Sequence, residues 1–333
     1  MRAMVLKKTG LIEKNPLHLK DIPVPGIGPK DLLVRVQACG ICHTDLHTIE
    51  GELPLIKLPL VPGHQITGTV ENKGEKVTRF KPGDRVGIAW LHSTCGRCVY
   101  CVNGNENLCE NAKFTGYHAD GGYARYTVIS EDFAYPLPQK LSPAETAPLL
   151  CAGIIGYRAL QLCEIKPGGR LGLYGFGASA HIAIQIASYW KCEIYVFTRS
   201  PEHRKLALKL GASWVGKAEQ LPPQKLQSSI VFAPEGKIVL LALEALDRGG
   251  TLALAGIYMT PIPQLDYTKH IYFEKKLKSV TNSTRADGEE LLKLASEIPI
   301  QTCITVFPLE KANRALQLLK QGKINGAGVL EIC

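Results

Sequence analysis

The sequence predicts an α/β protein of two domains, a partly open β-barrel followed by a doubly wound parallel sheet. Three observations carry this. Short apolar stretches at 32–36, 86–89 and 123–129 alternate with Pro/Gly turns such as Pro23-Val-Pro-Gly26, Val61-Pro-Gly63 and Lys81-Pro-Gly-Asp84. From about residue 151 the texture changes to alternating strand and helix patterns. A glycine-rich turn, Gly175-Phe-Gly177-Ala178-Ser179-Ala180, joins the first such strand to the first such helix.

In order, the second region reads as a strand at Arg170–Tyr174, a helix at 181–190, a strand at Glu193–Phe197 and a helix at 201–210. A strand at 228–233, a helix at 237–246 and a strand at 251–256 follow. Past about 283 the pattern is mixed, with helices at 288–296 and 309–321 and a closing strand at 329–332. The expected organisation is 1–152 with 283–333 as one domain and 153–282 as the other.

The chain has 333 residues, enough for two domains with real cores. Its net charge of +9 comes from Lys and Arg scattered among Asp and Glu, with no basic arm, so no nucleic-acid partner is expected. The start Met1-Arg-Ala-Met-Val-Leu-Lys-Lys8 lacks an apolar signal core, and no apolar run reaches membrane-spanning length. The expectation is a cytoplasmic protein with no membrane partner. Eleven cysteines in that setting favour metal ligands and reduced thiols over disulfides.

Four of them, Cys95, Cys98, Cys101 and Cys109, follow a C-x2-C-x2-C-x7-C spacing among loop-forming Gly and Asn residues. Thiolates on tight turns reach one tetrahedral zinc, and the fourth closes it. Upstream, Cys39, Cys42, His43, Thr44, Asp45 and His47 crowd one segment, His64 follows Gly63, and Cys151 stands alone. Two cysteines and one histidine from separate loops would leave a zinc with an open fourth position. Spacing alone does not choose among these candidates.

The turn at 175–180 is a G-x-G-x-x-A dinucleotide fingerprint. Gly175 makes the tight turn, Gly177 admits the pyrophosphate, Ala180 lets helix and strand touch, and the helix N-terminus faces the phosphates. The second strand of such a unit ordinarily ends in an acid that binds the ribose 2′-hydroxyl. Here Thr198, Arg199 and Ser200 stand there, a pattern that favours NADP(H) over NAD(H).

Taken together, G-I-C-H-T-D-x-H at 40–47, Gly63-His64, the four-cysteine lobe, Cys151 and the glycine turn carry a resemblance. The chain resembles the zinc-containing medium-chain dehydrogenase/reductase superfamily, in particular bacterial-type zinc-dependent alcohol dehydrogenases, over essentially its whole length. The resemblance implies a GroES-like catalytic domain, a Rossmann cofactor domain and two zinc ions per chain. It implies a catalytic zinc held by Cys42, His64 and Cys151, with Cys39 a bystander, and a structural zinc in the lobe. It further implies an oxidoreductase moving a hydride between NAD(P) and a small alcohol or aldehyde. Thr44 would take the substrate proton, His47 would pass it outward, His43 would contact cofactor phosphate, and Asp45 would orient a metal ligand. A homodimer or homotetramer is implied as well.

Cys163, Cys192, Cys303 and Cys333 match no site of the family and read as structural thiols. Three positions depart from its pattern: Gln65 for Glu, Ile155 for Thr and Ala327 for Arg. A polyol- or cinnamyl-alcohol-type dehydrogenase is the alternative within the superfamily. A non-catalytic zinc- and dinucleotide-binding redox sensor is the remote one. Trp90, His92, Phe114 and Ile155 fall in stretches that line the substrate cleft in relatives, and an apolar cleft suits small aliphatic or aromatic substrates.

Overall fold

A computed structural model describes residues 1–54, 57–137 and 140–332. The chain divides into two compact units, Met1–Cys151 with Thr284–Cys333, and Ala152–Ser283. Cys333 lies outside the described residues.

The first unit opens with strands β1 (Arg2–Leu6), β2 (Leu17–Asp21) and β3 (Asp31–Ile41), then helix α1 (His43–Glu50). Next come β4 (Gln65–Lys73), β5 (Arg85–Ile88), β6 (Leu91–Ser93), the short α2 (Val99–Val102) and β7 (Lys113–Phe114). The unit's first segment closes with β8 (Tyr126–Ser130), β9 (Ala134–Pro136) and α3 (Pro143–Thr146).

The second unit runs α4 (Ala152–Leu162), β10 (Arg170–Tyr174), α5 (Ala178–Tyr189), β11 (Glu193–Phe197), α6 (Pro201–Lys209) and β12 (Trp214–Gly216). It continues through β13 (Leu226–Val231), α7 (Gly236–Ala245), β14 (Leu246–Leu254), α8 (Tyr267–His270) and β15 (Lys276–Ser279). The chain then re-enters the first unit with α9 (Arg285–Glu297), β16 (Ile304–Pro308), α10 (Ala312–Lys320) and β17 (Ala327–Glu331).

In the first unit, the sheet order among the described residues is β16-β17-β3-β4-β5-β9, with β8 also on β3. β3 is long enough to serve three neighbours. Its first half, Asp31 to Arg35, pairs with β8, and its last residues, Ala38 to Ile41, pair with β17. Leu32, Val34 and Val36 are buried, as period-two alternation requires of a strand with one face on a core. They join Ile66, Val86, Ile88, Tyr123, Ile129 and residues of α10 in one apolar cluster.

The antiparallel register of β3 on β4 sets Gly40 opposite Gln65. Cys42 follows the end of one strand and His64 precedes the start of the other, so this pairing brings residues 22 apart in sequence together. Gly40 is required there, because a Cβ would come within 2.7 Å of the Gln65 amide oxygen.

In the second unit, the six strands described lie parallel in the order β12-β11-β10-β13-β14-β15. Strand order reverses direction between β10 and β13, the switch point where doubly wound sheets bind ligands. Tyr174, Phe197, Val231, Val239, Leu243 and Leu252 form part of its core, with Tyr174 and Phe197 stacked at 4.0 Å.

The predicted strands and helices of this region recur with ends moved by a few residues. Strands β12 and β16 and helices α4 and α8 are additions. Segment 251–258 is expected, with 278–280, to supply an exposed sheet edge. Instead, Thr251 to Leu254 lie inside the sheet between β13 and β15, and β15 alone forms that edge.

Candidate active site and cofactor turn

Cys42 is the N-cap of α1, and the first turn of that helix builds the site. The Cys42 Sγ accepts the Thr44 N–H at 3.3 Å, while Asp45 Oδ2 accepts the Cys42 N–H at 2.9 Å. This reciprocal capping satisfies two free helix donors and fixes both side chains. The other oxygen of Asp45, Oδ1, meets His64 Nδ1 at 2.9 Å. One buried carboxylate thus ties the helix start to His64 and directs the His64 Nε2 towards Cys42 Sγ, 3.4 Å away.

Cys151 arrives from another direction. The 3₁₀ turn Ala147–Leu150 is fully buried and delivers it at the end of the first unit. Thr67 Oγ1 on β4 donates to the Pro143 carbonyl at 3.0 Å and holds this segment to the sheet. The ligand atoms of Cys42, His64 and Cys151 all lie within 4.8 Å of one another.

This donor set fits a zinc ion. Zinc–sulfur and zinc–nitrogen bonds of ~2.3 and ~2.05 Å in a tetrahedron place S and N about 3.6 Å apart, close to the 3.4 Å separation of Cys42 and His64. The hydrogen bond to Cys151 and burial push the Cys42 thiol up. Burial opposes charge on His64, but Asp45 and Cys42 outweigh it and push that imidazole up to about 10. The pocket therefore favours a positive charge between these atoms, and a metal would displace the protons. The Asp45–His64 contact is the carboxylate–histidine arrangement that orients metal-binding imidazoles.

Around the triad the fit is close. Gly63 has φ +97°, and a Cβ there would lie 2.3 Å from the Tyr123 ring and 2.9 Å from Cys39 Sγ. Cys39 is fully buried in this packing, with Sγ 3.6 Å from the Gly40 carbonyl oxygen. The Trp90 ring meets His64 edge-on at 4.9 Å and stacks on Phe114 at 5.1 Å and Tyr117 at 5.9 Å. His92 instead lines a separate cavity of about 250 Å³ with Lys57 and Asp120, and burial lowers its pKa to about 4.

On α1, Thr44 is buried and His47 follows one turn later on the same face. His43 is exposed, its ring 6.4 Å from that of His47. His47 Nδ1 pairs with the Glu52 carboxylate, a partner no spacing rule would find.

The four-cysteine loop is closed at its base by β6 pairing with β7. Sulfur–sulfur separations are 3.9 Å for Cys95–Cys101, 3.5 Å for Cys98–Cys101 and 3.6 Å for Cys95–Cys109. A ZnS4 tetrahedron has edges of about 3.8 Å, so these thiols also fit zinc. The N–H groups of Arg97 and Cys98 favour the Cys95 thiolate and pull its pKa down to about 6. Within the loop, Glu106 is buried and accepts both the backbone N–H and the guanidinium of Arg285, at 2.9 and 3.1 Å, anchoring the loop to α9.

In the second unit, Gly175 has φ +89°, and a Cβ there would sit 2.9 Å from the Ala233 nitrogen. At Gly177 a Cβ would meet nothing within 4 Å, so the space before it is open. Gly177 is the N-cap of the twelve-residue α5 and no side chain caps the helix, leaving its first N–H groups for an anion. Ala178 and Ser179 begin that helix, and Ala180 is fully buried. The turn therefore fits a dinucleotide pyrophosphate.

At the end of β11, Thr198 is buried and Arg199 exposed. Ser200 is occupied as the N-cap of α6, accepting the His203 N–H at 3.2 Å and donating to Glu202 at 2.8 Å. Arg204, which the sequence pattern does not single out, reaches back to the Thr198 carbonyl at 2.9 Å.

Two family models match the chain, an alcohol dehydrogenase GroES-like domain over residues 28–139 and a zinc-binding dehydrogenase over 178–297. The protein described as Probable alcohol dehydrogenase AdhA of Mycobacterium tuberculosis (strain CDC 1551 / Oshkosh) is 49% identical, over 100% of this chain and 97% of the relative. This chain belongs to the zinc-type alcohol dehydrogenases of the medium-chain dehydrogenase/reductase superfamily.

An alcohol dehydrogenase of Geobacillus stearothermophilus is 38% identical to this alcohol dehydrogenase, over 98% of this chain and 99% of that one. Among solved structures, a cinnamyl alcohol dehydrogenase from Sorghum bicolor superposes with a TM-score of 0.90 at 28% identity, covering 99% and 97% of the two chains. The Helicobacter pylori CAD complexed with NADP(H) gives 0.88 at 25% identity, covering 99% of each. The alcohol dehydrogenase described here is thus an oxidoreductase of GroES-like and Rossmann architecture. None of its described helices is long and apolar enough to cross a membrane.

Of the departures from the family pattern, Gln65 is buried at the start of β4 with no partner for its Nε2. Ile155 is half-buried in α4, and Ala327 is buried in β17.

Proposed function

We propose that this alcohol dehydrogenase oxidises small alcohols and reduces the matching carbonyls at a zinc ion held by Cys42, His64 and Cys151. The observation that carries the reading is the convergence of these donors with Asp45 behind His64. Zinc, when bound there, supplies Lewis acidity to the substrate oxygen, easing loss of its proton in one direction and polarising the carbonyl in the other. The nicotinamide, when bound, accepts or supplies the hydride.

The chain's own residues place the reactants and move the proton. Thr44 takes the substrate proton at its hydroxyl, and His47 carries it outward at its imidazole. His43 contacts a cofactor phosphate. The N–H groups at Gly177, Ala178, Ser179 and Ala180 hold the pyrophosphate. Cys95, Cys98, Cys101 and Cys109 hold a second zinc with no open position, which is structural. The ring stack of Trp90, Phe114 and Tyr117 beside His64 favours apolar aliphatic or aromatic substrates.

The favoured cofactor is NADP(H). No carboxylate ends β11 to repel a 2′-phosphate, and the exposed Arg199 offers a bidentate fork for one. With Ser200 engaged in capping, the phosphate falls mainly to Arg199. Steady-state kinetics over a panel of alcohols and aldehydes with NADPH and NADH test both parts of the reading. Arg199→Ala should lower kcat/KM for NADPH by roughly 10–100-fold, the worth of a charged hydrogen-bonded contact, and change the NADH value little. A wild type that prefers NADH would refute the cofactor assignment. No turnover with any panel member would refute the reaction.

The second unit pairs with a copy of itself through β15, giving dimers or tetramers. β15 is a sheet edge that carries exposed Leu277 and follows exposed Tyr272 and Phe273. Its lysines do not guard that edge, since Lys276 and Lys278 turn back to Glu164 at 2.8 and 2.5 Å. Light scattering at micromolar concentration should report an oligomer, and a monomer would refute this.

A further inference from the structure

We propose that Glu52 is a positioning residue, whose carboxylate holds His47 in the tautomer that keeps hydrogen on Nδ1 and the lone pair on Nε2. The inference rests on the reading of His47 as the proton carrier.

The geometry begins with the end of α1. Gly51 takes the left-handed conformation, φ +83°, and stops the helix. The N–H groups of Gly51, Glu52 and Leu53 then all turn back onto the His47 carbonyl, at 3.1, 3.0 and 3.4 Å. A side chain at Gly51 would be strained and would press on Thr9, 3.0 Å from its Cβ position. This curl lays Glu52 beside the residue whose carbonyl it binds. Its Oε2 lies 2.5 Å from His47 Nδ1. The backbone thus grips His47 at its carbonyl and the carboxylate grips it at its ring.

A carboxylate only accepts hydrogen bonds, and a neutral imidazole has a single N–H. The contact therefore requires that N–H on Nδ1 and leaves Nε2 basic. The His47 side chain is only 17% exposed while that of Glu52 is 48% exposed, so the ring is sheltered and its anchor stands in water. When a proton arrives, an Nε2–H bond forms as the donor's O–H bond breaks. The imidazolium then returns that proton to water, with Nδ1–H kept throughout. Without Glu52 the ring loses the acceptor that selects Nδ1–H and can populate the other tautomer, which has no lone pair at Nε2.

The test compares alcohol-oxidation kcat and KM for wild type, Glu52→Ala, Glu52→Gln, His47→Gln and the Glu52→Ala/His47→Gln double variant. Glu52→Ala should lower kcat roughly 10-fold, within the range of a positioned proton-transfer group, with the alcohol KM little changed. Glu52→Gln retains an accepting oxygen and should stay near wild type. In the His47→Gln background, Glu52→Ala should add nothing. Nitrogen-15 NMR of His47 in alkaline solution should report Nδ1–H in wild type and a mixture in Glu52→Ala. Several results overturn the proposal: Nε2–H in wild type, a Glu52→Gln as slow as Glu52→Ala, or a loss that persists without His47. A Glu52→Ala at wild-type rate beside a slow His47→Gln overturns the role of Glu52 alone. A His47→Gln at wild-type rate overturns the relay itself.

Discussion

Cys42→Ala, His64→Ala or Cys151→Ala should each lower the rate of alcohol oxidation by roughly 10³-fold or more, the scale of losing several kcal/mol of metal-derived stabilisation. Each substitution removes one of only three protein donors. The remaining pair comes from different segments, the α1 cap, the residue before β4 or the turn after α3, and does not form a compact site alone. NADPH binding, followed by fluorescence titration, should survive, because the glycine turn belongs to the second unit. His64→Ala should do the most local damage, since it also leaves the buried Asp45 carboxylate without its imidazole partner. A Cys151→Ala enzyme turning over at the wild-type rate would show that these donors do not hold the working metal.

Cys98→Ser should act on stability. Cys98 immediately precedes α2, and its Sγ lies 3.5 Å from that of Cys101. The glycines and asparagines that shape this lobe, Gly96, Asn103, Gly104, Asn105 and Asn107, bring no apolar cover. Val99 and Val102 are 63% and 66% exposed, so the loop lacks a core of its own. Its order then depends on the metal and on the Glu106–Arg285 anchor. Losing such a metal costs on the order of 4 kcal/mol, or a fall in Tm of roughly 10 °C for a unit of this size. Differential scanning calorimetry measures it. Unchanged stability with turnover lost would reverse the roles assigned to the two cysteine sets.

Much of this was legible in the sequence for identifiable reasons. The glycine turn and the four-cysteine loop are local: their spacing alone brings the groups together, so a pattern reveals them. The parallel sheet was legible because β10, β11 and the second half of β14 are mainly apolar runs that alternate with helical patterns. The triad was not legible from spacing. Cys42 and His64 meet through the register of β3 on β4, and Cys151 arrives through a buried turn, and only the family resemblance chose these residues over Cys39. The Glu52 contact depends on a left-handed glycine that folds the chain back, and the Arg204 contact on the first turn of α6, which returns its guanidinium to the Thr198 carbonyl. Of the two segments offered for the sheet edge, 278–280 overlaps the edge strand β15 while 251–254 lies inside the sheet, because only pairing tells interior from rim.

The central claim is that two separate cysteine-based groups each hold zinc and that only the one formed by Cys42, His64 and Cys151 supports turnover. Zinc content per folded chain, measured by inductively coupled plasma mass spectrometry on wild type and Cys151→Ala alongside alcohol oxidation, tests it most directly. Two zinc ions are expected in the wild type and one, with turnover lost, in Cys151→Ala. A fully active wild type with a single zinc that Cys151→Ala retains would contradict it.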